Sequence, residues 1–114
     1  MINYSQTQAG SVVDNRPTKM YSNVIDITAA NPSFEIDTQD LFGELKPASG
    51  SITNVSSTSG AEALVEVCFD KNKTFTNQMT LRVGETIPLT NLYLIYGIKI
   101  NRRTIDSQVR IILQ

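Results

Sequence analysis

Hydrophobic and polar residues alternate with a period of two in several short stretches of this chain, most clearly near its C-terminus. Leu92, Leu94, Tyr96, Ile98 and Ile100 fall on one parity, and Tyr93, Ile95, Gly97 and Lys99 on the other. Successive side chains of a strand point to opposite faces, so this predicts a strand over 92–100 with the first set in the core. Gly97 interrupts the second face and marks an expected bend or bulge. Val109, Ile111 and Leu113 repeat the pattern. The polar stretch 101–107 between the two reads as a loop, which makes them an expected antiparallel pair. Leu94, Tyr96, Ile98, Val109 and Ile111 are the predicted core.

Earlier strands carry the same signature. Met79, Leu81 and Val83 alternate with polar residues, Gly84-Glu85 reads as a turn, and Pro88 confines 86–89 to an edge or a connection. Ala63, Val65, Val67 and Phe69 form another alternating set. Ala, Glu and Leu in 61–67 would also suit a helix, but the β-branched and aromatic end of the run favours a strand. Asp70 to Lys73 is a hairpin-type turn. Ile25 and Ile27, then Phe34 and Ile36, then 50–56 give three further strands, and 38–45 holds one helical turn stopped by Gly43 or Pro47. Short strands with frequent turn signals predict an all-β fold: an antiparallel β-sandwich or jelly-roll-like barrel. The polar stretch 1–17 has little to bury and reads as an extended N-terminal arm, with 18–114 as the single β domain.

Composition narrows the function. The 114 residues suit one domain, and ten basic against eleven acidic residues give a net charge of −1. A nucleic-acid binder needs basic excess to neutralise phosphates, so no nucleic-acid partner is expected. Arg102-Arg103 with Lys99 nearby reads as a polar turn between strands. The N-terminus lacks a basic start and an apolar stretch, and no segment is long enough to span a bilayer. The expectation is therefore a protein made in a cytoplasm, without a membrane partner.

Candidate chemistry is sparse. The chain has no histidine, so Cys68 lacks the usual partner base and reads as a buried, inert thiol. Zinc sites of Cys and His are excluded by the same counts. The single glycines form no phosphate-cradling motif. Two carboxylate groupings remain. Asp37, Asp40, Gly43 and Glu44 faintly resemble a calcium loop but read more simply as a helix cap and turn. Glu62, Glu66 and Asp70 share a parity and would line the wet face of one strand. With no Trp, a sugar-stacking cleft is poorly supported. The expectation is a non-enzyme with no catalytic, cofactor-binding or metal-binding residues and no cofactor.

The run Met79 to Leu89, with its Gly84-Glu85 turn, followed by Tyr93 to Ile100, resembles small β-sandwich proteins of tailed-phage virions. That resemblance covers the last third of the chain and implies a virion structural protein: a capsid cement or decoration protein, or a neck, tail or fibre component. Its partners would be other virion proteins or copies of itself, and its location the virion. A carbohydrate- or peptide-binding β module is the alternative. Assembly contacts are expected from Met1, Ile2, Tyr4, Val12 and Val13 in the arm. Tyr93 and Ile95 are expected to join them from the apolar second face of the 92–100 strand.

Overall fold

The computed structural model describes residues 20–90 and 94–114, and the chain folds as two four-stranded antiparallel sheets packed face to face. The strands are β1 (Tyr21–Ile27), β2 (Ser33–Asp37), β3 (Gly50–Asn54), β4 (Ala63–Cys68), β5 (Met79–Leu81), β6 (Thr86–Leu89), β7 (Gly97–Arg102) and β8 (Ser107–Leu113). A single helical turn, α1 (Thr38–Phe42), follows β2. One sheet has the order β1-β8-β3-β6 and the other β2-β7-β4-β5. This is jelly-roll connectivity, which meets the expected fold class.

Period-two burial runs through the strands. Ile27, Ile52, Val109, Ile111 and Leu113 project from the first sheet, and Ile36, Val65, Val67, Ile98 and Ile100 from the second. Together they make one dry aliphatic layer between the sheets. The edges also obey the sequence. Pro88 lies on the edge strand β6, where a missing N–H removes no ladder bond on the open side. Gly43 ends α1 at a positive φ that favours glycine (φ 64°, ψ −131°), and its N–H donates to Gln39 O.

Several expectations about the C-terminal strands fail. The strands 97–102 and 107–113 are not partners: β7 pairs with β2 and β4, while β8 pairs with β1 and β3 in the opposite sheet. Alternation reports which face a residue occupies, not which strand lies beside it. The strand also begins at Gly97 and not at residue 92. Before it, residues 94–96 cross the end of the sandwich, held by backbone bonds from Ile95 N–H to Pro47 O (2.8 Å) and Tyr96 N–H to Cys68 O (2.8 Å). The parity breaks there. Ile95 is fully buried, Leu94 is 45% exposed and Tyr96 is half-buried. Leu94 and Tyr96 are therefore not core residues, whereas Ile98, Val109 and Ile111 are. Gly97 makes no bulge. It pairs in register with Asp37 and Cys68, and an added Cβ would meet Ile36 O and the Phe75 ring, each at 3.2 Å.

Buried polar contacts pin the crossings. Thr38 is fully buried and donates its hydroxyl to Ile95 O (2.7 Å) and its N–H to Tyr96 O (3.2 Å). At the other end Asn54, 1% exposed, donates its amide to Ala61 O (2.7 Å) and Leu81 O (2.9 Å). Its amide oxygen accepts from the N–H and hydroxyl of Ser56. One side chain thus ties the end of β3 to β5 and to the approach to β4.

Three stability outcomes follow. Ile98→Ala and Ile111→Ala should each cost about 2–5 kcal/mol by chemical denaturation, whereas Leu94→Ala should stay within about 0.5 kcal/mol. Asn54→Ala should cost at least about 2 kcal/mol, because it strands two buried carbonyls. Gly50→Ala should cost about 1–3 kcal/mol, since a Cβ there would lie 2.0 Å from the backbone oxygen of Ile112. Equal losses for Leu94→Ala and Ile98→Ala would contradict this assignment of the core.

Candidate functional site: the partner-binding surfaces

The expected assembly contacts Met1, Ile2, Tyr4, Val12, Val13 and Tyr93 lie outside the described residues, as does the arm 1–17. Ile95 is described, and it belongs to the interior and not to a surface. Its N–H is tied to Pro47 and its side chain joins the inter-sheet layer. Any contact surface among the described residues must therefore be sought on the outer faces, the open edges and the two ends of the sandwich.

The outer faces differ in chemistry. On the β1-β8-β3-β6 sheet the outward strand residues include Ser22, Val24, Asp26, Gln108, Arg110, Ile112, Ser51, Thr53, Thr86 and Pro88. Only Asp26 and Arg110 are charged. Val24, opposite Arg110, is 40% exposed, and Ile112, opposite Ser22, is half-buried. The β2-β7-β4-β5 sheet is more polar. Glu35, Lys99 and Glu66 sit opposite one another across three strands, and Lys99 lies over the Phe75 ring at 4.3 Å.

The carboxylates singled out in the sequence do not converge on one site. Glu62 pairs with Arg103 (2.8 Å) and Arg82 (3.5 Å), Glu66 accepts from Gln78, and Asp70 caps its own turn through Thr74 N–H. Among the described residues no three metal-ligating side chains gather. Cys68 is fully buried, and its thiol donates to Asp70 O (3.1 Å). Arg102 and Arg103 are both in ion pairs, with Asp106 and Glu62.

Asp37 closes β2 and caps α1, accepting from Gln39 N–H (2.9 Å) and from Lys73 Nζ (2.7 Å). The Lys73 hydrogen bond, then the Gln39 N–H, hold its carboxyl below the usual 3.8, and the same contact raises Lys73 above 10.5. A lowered carboxylate stabilises the fold above its unfolded value, and that contribution is lost as pH falls through the lowered one. A raised lysine acts below its unfolded value and loses its contribution as pH rises through the raised one. Asp37→Asn keeps capping ability and removes the charge. It should melt below the parent at pH 7, with the gap narrowing as pH falls through the lowered value of the Asp37 carboxyl; a gap that does not change with pH would assign the effect to the cap instead of the ion pair.

No protein-family model matches the chain, and no curated protein sequence matches it. Among solved structures it is similar to the Drosophila NLP-core, studied for pentamer formation and histone binding. The TM-score is 0.53 at 16% identity, over 85% of this chain and 97% of that one. At that identity the likeness shows the sandwich fold. It also overturns the expected virion role. Neither bacteriophage partners nor a virion location is retained, because the pattern in 79–100 that suggested them is one that a jelly roll of any source produces.

Proposed function

We propose that this chain is a self-assembling β-sandwich domain that binds a basic protein, with histones as the partner class, and that it acts by binding and not by catalysis. The observation that carries this reading is the fold likeness to the Drosophila NLP-core over nearly the whole of that chain. The sparsely charged outer face of the β1-β8-β3-β6 sheet supports self-assembly, because desolvating few charges keeps the cost of a subunit contact low. With a net charge of −1 the chain has little long-range pull on a cationic partner, so recognition rests on local carboxylates.

The test has two readouts. Light scattering after gel filtration should give an assembly of several 12.6 kDa chains, and titration with core histones should give saturable binding that weakens with added salt. A monomer without affinity for histones overturns the proposal. Val24→Asp, on the sparsely charged face, should reduce the assembly to single chains with the fold intact by circular dichroism. An unchanged assembly would exclude that face as the subunit contact.

A further inference from the structure

We infer that the open edge of β1 pairs with β1 of a second copy of this chain, antiparallel and centred on Val24, so that a four-stranded sheet of each copy continues into the other. This contact goes beyond the proposed function, since it needs neither a histone partner nor the outer face named there. The two sheets have β1, β6, β2 and β5 as their edges. An edge strand presents unpaired N–H and C=O groups, and proteins blunt such edges by brevity, proline or charge. β5 has three residues, β6 has four and includes Pro88, and β2 has five, with Glu35 and Asp37 among them. β1 has seven residues, no proline and Asp26 as its single charge. It is the longest and least guarded of these edges.

The pairing of β1 with β8 fixes which backbone groups the edge offers. Antiparallel partners exchange hydrogen bonds at alternate residues. Gln108 turns its backbone towards the β3 side: its N–H donates to Ser56 Oγ (2.8 Å) and its C=O accepts from Val55 N–H (2.8 Å). Its neighbour Val109 therefore faces β1, where Ile25 lies opposite. Asn23 and Ile25 direct their backbone groups to β8, and those of Ser22, Val24 and Asp26 point outward. Val24 bears this out. Its N–H donates to the side chain beside it, Asn23 Oδ1 (2.9 Å), and not to β8. An exposed amide side chain is an exchangeable acceptor, which the carbonyl of an added strand replaces.

The order of residues selects a second copy as the occupant. With the two-fold axis at Val24, Val24 meets its own counterpart and Ser22 meets Asp26 of the partner subunit, a hydroxyl against a carboxylate. The outward N–H and C=O groups of all three residues are then paired. The two Asp26 carboxylates lie four positions apart along the seam, roughly 13 Å at the rise of a strand and beyond the screening length of physiological salt. An axis at Asp26 would set like charges opposite each other. The parity of the faces is also kept. Half-buried Tyr21 and Ile25 remain on the inward side, and Val24, 40% exposed, is covered on the outer one. A cationic strand from another protein would meet one carboxylate on this edge, which gives it little to recognise.

The full chain is prepared as Ser22→Cys and as Asp26→Cys, and the two are oxidised separately and mixed. Hydrogen-bonded antiparallel partners have Cα atoms about 5.5 Å apart, within disulfide reach, whereas residues four positions apart are out of reach. Cys68 is buried, and the parent chain controls for it. The mixture should give a cross-linked dimer of one chain of each kind by mass spectrometry, and each variant alone should stay single. Val24→Pro removes an outward N–H and no bond to β8. It should at least halve the mass seen by light scattering and leave the circular dichroism spectrum unchanged. No mixed dimer, or equal cross-linking of each variant alone, overturns the inference, as does an unchanged mass for Val24→Pro. Slow hydrogen exchange at the Ser22 and Asp26 amides, at a dilution where the parent is a single chain, also overturns it, in favour of a strand from the same chain. If the mixed dimer forms and histones do not bind, the edge contact stands and the proposed function fails. If histones bind and no mixed dimer forms, the edge contact fails and the proposed function stands.

Discussion

The chain leaves its sheet after almost every strand. Only β4 and β5 are consecutive in sequence and also hydrogen-bonded neighbours; each other pair of consecutive strands lies in opposite sheets. Neighbours within a sheet are therefore distant in sequence, as β1 is from β8 and β2 from β7. Neither sheet can form without the other, because the strands that complete one are interleaved along the chain with those of its partner. The aliphatic layer between them is the common cause that both sheets share, since burying each of its side chains favours the assembled pair over either sheet alone.

That constraint makes the crossings as important as the strands. A backbone that leaves a sheet carries N–H and C=O groups that need partners, and the two ends meet this need differently. At the α1 end, Thr38 and Pro47 take up the backbone of residues 95 and 96, which places Ile95 in the interior. At the opposite end, Asn54 serves carbonyls from two separate segments and is itself held by Ser56, whose hydroxyl also accepts from Gln108 N–H. This end gathers short loops rich in Ser, Thr and charged residues.

The surface has a corresponding division of labour. The outer face of one sheet is nearly free of charge, and the other carries the Glu35, Lys99 and Glu66 row. Asp37, Glu62, Asp70, Glu85 and Asp106 are engaged with neighbouring cations or backbone donors, which offsets part of the negative charge that the described carboxylates present. Under the proposed function, affinity for a cationic protein comes from a few oriented acceptors and is multiplied by the number of subunits in the assembly.

What the sequence determined by itself was the class of the fold and the face of most strand residues. A strand buries alternate side chains, so Ile98, Ile100, Val109 and Ile111 announced their burial, and Pro88 and Gly43 announced an edge and a helix stop. Those signals are local, and each residue carries its own. Strand partners were not legible, because pairing between positions as distant as Ile25 and Val109 depends on how both sheets close over one core. The same reason hid the reversal at Leu94 and Ile95: the alternation continues in the letters, but hydrogen bonds to Pro47 and Cys68 turn the chain across the sandwich before Gly97. Nor could the letters disclose that Asp26, Ser57 and Asp106 lie together at one end, since they meet only when β1, β3 and β8 lie side by side.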